Sequence, residues 1–228
     1  MLSLPQGHGL THVVACRVLK PELEPILPPP VERVYLDYAL HRTPDQLRSR
    51  LQATLRSLPE EATVGLGYGL CSNGTAGLSG GSRRLIVPRV HDCISLIMGS
   101  PEGYRKAFLD DPGTIYLSAG WIREGGDPLS DYRRQLERFG IEDAQWIFRQ
   151  MYQHYSRLVF IRTGASRPRD RRYASAVACW AGWIFREMDG DDAFWRRLVA
   201  ADRRDPWLLV VEPGQTVSQA AFLREQAV

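Results

Sequence analysis

The segment 63–93, TVGLGYGLCSNGTAGLSGGSRRLIVPRVHDC, decides the fold class of this chain. It contains two short runs rich in aliphatic residues, Thr63–Leu66 and Arg84–Val87, and each run is followed by glycine or proline. Such runs predict buried strands, because turn residues end them before a helical pattern develops. A cysteine comes after each predicted strand, Cys71 after the first and Cys93 after the second.

The sequence on either side of this segment repeats the alternation of strands and helices. Strands are predicted at His12–Ala15, Val31–Leu36, Thr63–Leu66, Arg84–Val87, Thr114–Leu117, Leu158–Arg162 and Trp207–Val211. Helices are predicted at Thr43–Leu58, Cys93–Met98, Ser100–Leu109, Asp131–Phe139, Glu142–Tyr155, Ala174–Met188 and Ala193–Ala200. This alternation favours an α/β fold with a mostly parallel sheet and helices on both faces, in a Rossmann-like arrangement.

Length and composition describe an ordinary globular protein. The 228 residues, with 44% hydrophobic and 24% charged side chains, predict a single α/β domain over 1–228, with a possible division into two lobes near residues 120–130. A net charge of +3 is too balanced to indicate a nucleic-acid partner. Because the apolar runs are short and the first ten residues lack a basic and apolar leader, we expect no membrane association and a cytoplasmic location.

The positions of the cysteines and histidines carry the main functional signal. Cys16, Cys71 and Cys93 each follow a predicted strand, as do His41 and His91. The carboxyl ends of parallel strands meet at one edge of a sheet, which is where open α/β sheets bind ligands. We therefore expect the three thiols and two imidazoles to lie at the same edge, although no Cys-x-x-Cys pair is present.

Three thiolates at one point predict a soft metal, either zinc or an iron–sulfur cluster. With one histidine they would complete a tetrahedral zinc site, and alone they would leave one coordination position open for a substrate. Cys93 also lies at a predicted helix start, where the helix dipole favours the thiolate. The alternative is that these are small buried residues at strand ends. The fourth cysteine, Cys179, lies within a helical pattern and is predicted to pack in the core.

Four side chains near this edge are candidates for proton transfer or substrate binding. His41 and His91 are candidate acid–base catalysts, metal ligands or donors to a ligand, or else histidines paired with a backbone carbonyl. Asp92 is a candidate for orienting His91, or for capping the following helix. Arg89 is positioned to hold a carboxylate or phosphate, with a surface ion pair as the alternative.

The glycine-rich loop after Cys71 allows the backbone to approach a bound group closely. Gly69 and Gly74 are the candidate cofactor-binding positions, although neither a Walker loop nor a dinucleotide fingerprint is present. Ser118 and Trp121, which follow the next strand, are predicted to line the same crevice.

Five segments carry a resemblance to a known family: VACRVLKPEL, LDYALHRTPDQL, GLGYGLCSNGTAGL, IVPRVHDCISLIMGS and PGTIYLSAGWI. Over about residues 11–215 the chain resembles the family called domain of unknown function 1638. The resemblance implies that the candidate residues occupy family motif positions, namely Cys16, His41, Cys71, His91, Asp92 and Cys93. Members are commonly encoded in anaerobes beside corrinoid-dependent methyltransferase systems, which implies a role in one-carbon or corrinoid-linked metabolism.

Two functional hypotheses follow, and a third remains. The first is a metal-dependent enzyme whose three-cysteine zinc or iron–sulfur site acts on a small molecule, by methyl transfer to a zinc-activated thiol or by chemistry at an open iron. The second is an accessory protein that holds or delivers a metal, cluster or corrinoid to a methyltransferase partner, although the usual Asp-x-His-x-x-Gly corrinoid motif is absent. The third is a redox or structural protein with buried cysteines. The apolar segment Ala174–Met188 is a candidate homodimer interface.

Overall fold

The computed structural model describes residues 9–223. It confirms the α/β class and the Rossmann-like arrangement of mostly parallel strands flanked by helices, but divides the strands between two sheets. The strands are β1 (His12–Cys16), β2 (Glu32–Leu36), β3 (Thr63–Gly67), β4 (Arg84–Pro88), β5 (Thr114–Leu117), β6 (Arg157–Arg162), β7 (Ile184–Asp189) and β8 (Leu208–Val211). The helices are α1 (Lys20–Leu23), α2 (Pro44–Ser57), α3 (Cys93–Met98), α4 (Pro101–Asp110), α5 (Ala119–Arg123), α6 (Pro128–Phe139), α7 (Ile141–Tyr152), α8 (Pro168–Ala181), α9 (Ala193–Ala200) and α10 (Ala220–Leu223), with 3-10 turns at Arg17–Leu19 and Tyr38–Arg42.

The first sheet has five strands in the order β2-β1-β3-β4-β8. Strands β1 to β4 are parallel, and β8 adds to the edge of β4 in the antiparallel direction. Since β2 lies on one side of β1 and β3 on the other, the chain changes direction between β1 and β3. This is the topological switch point at which open α/β sheets form a ligand crevice.

The second sheet has three parallel strands in the order β5-β6-β7. The apolar side chains beneath it form a small core of their own, with Leu117, Leu158 and Phe160 packed against Ala174 and Val177 of α8. A larger core of aliphatic side chains surrounds the first sheet. We refer to the two sheets with their helices as the first and second lobes.

The segment predicted as the helix Ala174–Met188 is the main error in the predicted elements. Helix α8 ends at Ala181, because Gly182 adopts a left-handed backbone with φ of 73°. The chain then forms β7, which pairs in parallel with β6 from Ile184 to Asp189. The pairing with β6, which is distant in sequence, outweighs the helical pattern of the residues themselves.

Helix α5 joins the two lobes at close range. It follows β5 of the second sheet and packs against the 3-10 turn Arg17–Leu19 that follows β1 of the first. Gly120 permits this approach, since a Cβ atom there would overlap the carbonyl oxygen of Val18. The carboxyl end of β5 is therefore held against the carboxyl end of β1.

Candidate thiol site

The backbone brings three cysteines to the switch point of the first sheet. Cys16 is the last residue of β1, and the residue before it, Ala15, pairs with Gly67 at the end of β3. Beyond β3, the N–H of Cys71 donates to the carbonyl oxygen of His91 (2.8 Å), which attaches this segment to the one after β4. Cys93 begins α3 two residues later. The strand ends and this hydrogen bond together place the three residues at one edge.

The electrostatics show that the three thiols interact with one another. Burial raises the pKa of Cys16 to about 11 and that of Cys71 to about 12, and Asp92 and Cys16 add to the rise at Cys71. Burial, Asp92, Cys16 and Cys71 raise the pKa of Cys93 well above its usual value. Because these neighbours are acidic, we expect all three sulfurs to be protonated thiols at neutral pH without a cation beside them.

Two aromatic residues bring hydrogen-bond donors close to these thiols. Tyr68 is only 3% exposed, and its hydroxyl has no hydrogen-bond partner among the described residues. Burial, and after it the nearby Cys16, Cys71 and Cys93, raise its pKa, so the phenol is close enough to all three cysteines to interact with them electrostatically. The buried indole N–H of Trp121 lies beside Cys93, and its interaction with the sulfur lowers that thiol's pKa. We call Tyr68 and the three cysteines the thiol site.

The backbone at Cys71 is strained. Cys71, Ser72 and Asn73 have φ angles of 48°, 54° and 68°, a run of three left-handed residues other than glycine. Each costs roughly 1 kcal/mol relative to ordinary backbone, and such strain concentrates at binding and catalytic sites. The turn closes with a hydrogen bond from the Gly74 N–H to the Cys71 carbonyl oxygen (2.9 Å). A cysteine placed on an unfavourable turn indicates that its position matters more than local stability.

A family model supplies the comparison with known proteins. The model described as a protein of unknown function (DUF1638) matches residues 35–199. The chain belongs to the DUF1638 family. The match covers Cys71 and Cys93, whereas Cys16 lies before it. No curated protein and no solved structure matched the DUF1638 chain. In the described part of the chain, no helix is long and apolar enough to cross a membrane.

The two candidate histidines of the DUF1638 chain lie at the rim of the thiol site. His41 is exposed, and its Nδ1 donates to the carbonyl oxygen of Tyr38 (2.5 Å). Its ring packs edge-on against Trp121, with ring centroids 5.3 Å apart. The His91 side chain is exposed, while its carbonyl oxygen binds Cys71. Trp121 thus connects His41 to Cys93.

Asp92 and Arg89 are engaged by backbone and side-chain groups. Asp92 Oδ1 accepts hydrogen bonds from the N–H groups of Ile94 (2.9 Å) and Ser95 (3.2 Å), so it caps α3. Its Oδ2 accepts from the hydroxyl of Tyr104 (2.9 Å). The guanidinium of Arg89 donates to the carbonyl oxygens of residues 208 and 221, on the β8 side of the sheet. Asp92 therefore acts on the thiols by its charge, and Arg89 faces a different part of the molecule.

The candidate glycines allow close packing of the loops that carry the cysteines. A Cβ atom at Gly69 would overlap the carbonyl oxygen of Val90. A Cβ atom at Gly74 would lie 2.7 Å from Leu47 Cδ2. A cofactor-binding role for Gly69 and Gly74 stays a prediction, and the structure gives both of them a packing role.

Sequence reasoning missed Tyr68 and misplaced Cys179. Tyr68 comes directly after β3, so the position of a polar aromatic at a strand's carboxyl end was the available signal. Cys179 is exposed, and its predicted place in the core is wrong because α8 turns this face to solvent. Among residues 9–223, no three His, Cys, Asp or Glu side chains are already arranged to coordinate a metal ion.

Proposed function

We propose that this protein binds a metal through Cys16, Cys71 and Cys93, and that it is a metal-dependent enzyme acting on a small molecule in one-carbon or corrinoid-linked metabolism. The bound group is a zinc ion or an iron–sulfur cluster. The proposal is supported by the position of three cysteines and the buried hydroxyl of Tyr68, unpaired in the described chain, at the same edge of the first sheet. Thiolates are the protein ligands that these metals prefer.

The charges around the sulfurs support a cation at this point. The groups that raise the thiol pKa values include Asp37, Asp92 and Glu124, all of which are acidic. These acidic groups disfavour the negatively charged thiolates. A bound cation would offset that effect, and the thiols would lose their protons on binding it. Since no preformed set of ligands is present in the described chain, the proposal requires the thiol side chains to rotate and close on the metal.

The aromatic residues have a defined role in this proposal. The Tyr68 hydroxyl and the Trp121 indole N–H would each donate a hydrogen bond to a thiolate sulfur or to the bound substrate. Donors to metal-bound sulfur tune the charge and reactivity of a metal centre. His41, which packs on Trp121 at the surface, is the group best placed to exchange protons with solvent.

Metal analysis of protein purified without oxygen tests the proposal. We expect about one zinc or about four irons per chain, with the iron form brown and the zinc form colourless. Cys71→Ser should reduce the metal content at least tenfold. Cys179→Ser is the matched control, because it removes an exposed free thiol and should leave the content unchanged. Metal-free wild-type protein, or equal metal in Cys71→Ser, would contradict the proposal.

The accessory role is the second candidate. The exposure of His41 at the rim favours it, because an accessible imidazole could bind the cobalt of a corrinoid held by a partner. The loaded protein would then transfer its metal or bind a corrinoid methyltransferase without turnover of its own. Methyl transfer catalysed by the isolated protein would support the enzyme role. Stable binding of a corrinoid protein, with no methyl transfer by the isolated chain, would support the accessory role.

A cytoplasmic location and a homodimer complete the proposal. The four cysteines are free in the structure, and free thiols persist in a reducing compartment. Trp180 near the end of α8 is 42% exposed, and its ring offers apolar surface for a dimer contact on the predicted interface segment. Sedimentation of the wild type and Trp180→Ser tests this point.

A further inference from the structure

A second candidate site lies at the carboxyl edge of the other sheet. A half-open cavity of about 370 Å³ is bounded by α1 of the first lobe and by the segments that follow β6 and β7. The residues that matter here are Pro21, Glu22, Thr163, Gly164, Asp191 and Trp195. Its volume suits a small ligand, and its place at strand ends follows the rule for ligand sites in parallel sheets. We call it the Glu22 cavity.

Two lining residues carry buried polar atoms without partners in the described chain. Glu22 is 6% exposed, and its Oε1 accepts a hydrogen bond from the Thr163 hydroxyl (3.2 Å), whereas its Oε2 has none. Trp195 is 1% exposed, and its indole N–H is also unpartnered. An unpaired buried polar group destabilises the folded protein, so a ligand that pairs both atoms would recover that cost. Glu22 Oε2 is a hydrogen-bond acceptor, and the Trp195 indole N–H is a hydrogen-bond donor.

The charge of the cavity favours a cation. Of the described lining residues, three are acidic, Glu22, Asp191 and Asp192, and none is Arg, Lys or His. Asp192 is bound in an ion pair by Arg196 (2.6 Å), and Asp191 Oδ1 accepts the N–H of Ala193 (2.7 Å), which leaves Glu22 and Asp191 Oδ2 for a ligand. Burial raises the pKa of Glu22 to about 7, so a positive charge beside it would favour the ionised form.

The cation that acts on Glu22 from outside the cavity, Arg123, is already engaged in an ion pair. The charge of Arg123 lowers the pKa of Glu22, and that of Asp170 raises it. The guanidinium of Arg123 donates to Asp170 Oδ2 (2.9 Å) and to the carbonyl oxygen of Ala165 (2.8 Å). The guanidinium of Arg123 therefore forms its ion pair with Asp170, and its charge acts on Glu22 only from a distance.

We propose that the Glu22 cavity binds a small protonated amine that carries a hydroxyl or carbonyl oxygen beside its ammonium group. The ammonium donates to Glu22 Oε2, and the ligand oxygen accepts the Trp195 indole N–H. An anion is disfavoured by the acidic lining. A divalent metal is disfavoured because it takes oxygen ligands and would leave the indole N–H unpaired. This proposal stands independently of the thiol site.

The test is a titration of the full chain followed by two-dimensional NMR of its backbone and indole N–H groups. The probes are ethanolamine, ethylamine, which lacks the oxygen, and ethylene glycol, which lacks the charge. We expect saturable shifts of the Trp195 indole and Gly164 amide signals with ethanolamine, a binding at least fivefold weaker with ethylamine, and no binding of ethylene glycol. Trp195→Phe, which also assigns the indole signal, should make ethanolamine no better than ethylamine.

Two further variants examine the carboxylate and the cavity. Glu22→Gln keeps the side-chain shape and should weaken ethanolamine binding at least tenfold. Gly164→Leu should abolish binding, because a Cβ at Gly164 meets no atom within 4 Å and the added side chain can fill the cavity without a clash. Gly9→Leu, at an equally open glycine, is the control. Absence of any saturable shift in the wild type, or equal affinity in Glu22→Gln, would overturn the proposal.

Discussion

The thiol site and the Glu22 cavity lie at the carboxyl edges of two different parallel sheets, yet they differ in chemistry. The thiol site combines sulfurs from three separated segments and includes a strained turn at Cys71. The Glu22 cavity combines one carboxylate from α1 with an indole from α9 and open space between them. The comparison shows that sheet topology determines where a ligand can bind, whereas the side chains determine which ligand.

The two regions share an electrostatic feature that makes them comparable. In both, burial raises the pKa of an acidic group, and its neighbours include further acids. Both therefore favour positive charge, a soft metal ion at the sulfurs and an ammonium group at the carboxylate. Each also holds an aromatic donor without a partner in the described residues, Tyr68 in one and Trp195 in the other.

The largest effect is expected where the two lobes meet. Gly120→Ala should destabilise the protein by at least about 3 kcal/mol, because the new Cβ overlaps the Val18 carbonyl and the backbone must move. Denaturant unfolding measures this. Gly164→Ala, at a glycine with open space, should change the free energy of unfolding by less than about 0.5 kcal/mol. Similar values for the two variants would show that α5 does not hold the lobes together.

The next prediction concerns the Glu22 carboxylate, whose ionisation makes the stability of the protein depend on pH. The pKa of Glu22 is about 7 in the folded protein against 4.5 for an ordinary glutamate, so the folded state binds the extra proton. Stability is therefore lost as the pH rises from about 4.5 through 7. Glu22→Gln should be more stable than the wild type at pH 8, by up to about 3 kcal/mol, and the gain should disappear near pH 4.

Thermal unfolding at both pH values measures the Glu22 effect. Glu137→Gln, a change at an exposed carboxylate of α6, is the control and should show no such difference. A wild type that keeps its full stability from pH 4 to pH 8 would mean that Glu22 ionises without cost.

The thiols should differ in their rate of alkylation. In metal-free protein at pH 8, only about one Cys16 thiol in a thousand is ionised at a pKa of about 11, and Cys71 is ionised still less. Iodoacetamide should therefore modify the exposed Cys179 at least about a hundredfold faster. Peptide mass spectrometry over time follows each site, and the slow rates should rise about tenfold per pH unit up to pH 10. Equal rates at Cys71 and Cys179 would contradict the burial argument.

The smallest effect compares two phenols. Tyr68→Phe removes a hydroxyl without a partner in the described chain, so metal-free protein should gain up to about 1 kcal/mol of stability. Tyr104→Phe removes a hydroxyl that donates to Asp92, and it should lose about 1 kcal/mol. If Tyr68 donates to a metal-bound sulfur, its variant should also bind the metal about tenfold more weakly. A destabilised Tyr68→Phe would show that the phenol has a structural partner.

Much of the thiol site could be anticipated from the sequence, and none of the Glu22 cavity could. Cys16, Cys71 and Cys93 each follow a strand that local patterns predict, and parallel strands bring their carboxyl ends to one edge. Glu22 lies in a short helix with no informative pattern, and its hydroxyl donor, Thr163, is 141 residues away. Contacts across that separation depend on how the lobes pack, which periodicity does not report.

The sequence by itself determined the α/β class, most strand and helix positions, and the strand ends at which the cysteines fall, because these depend on neighbouring residues. Only the tertiary structure decided that the strands divide into two sheets and that residues 184–189 form β7. It also decided that Tyr68 and Trp195 are buried without partners in the described chain. Strand pairing and burial are interactions between distant segments, so they are established only when the chain has folded.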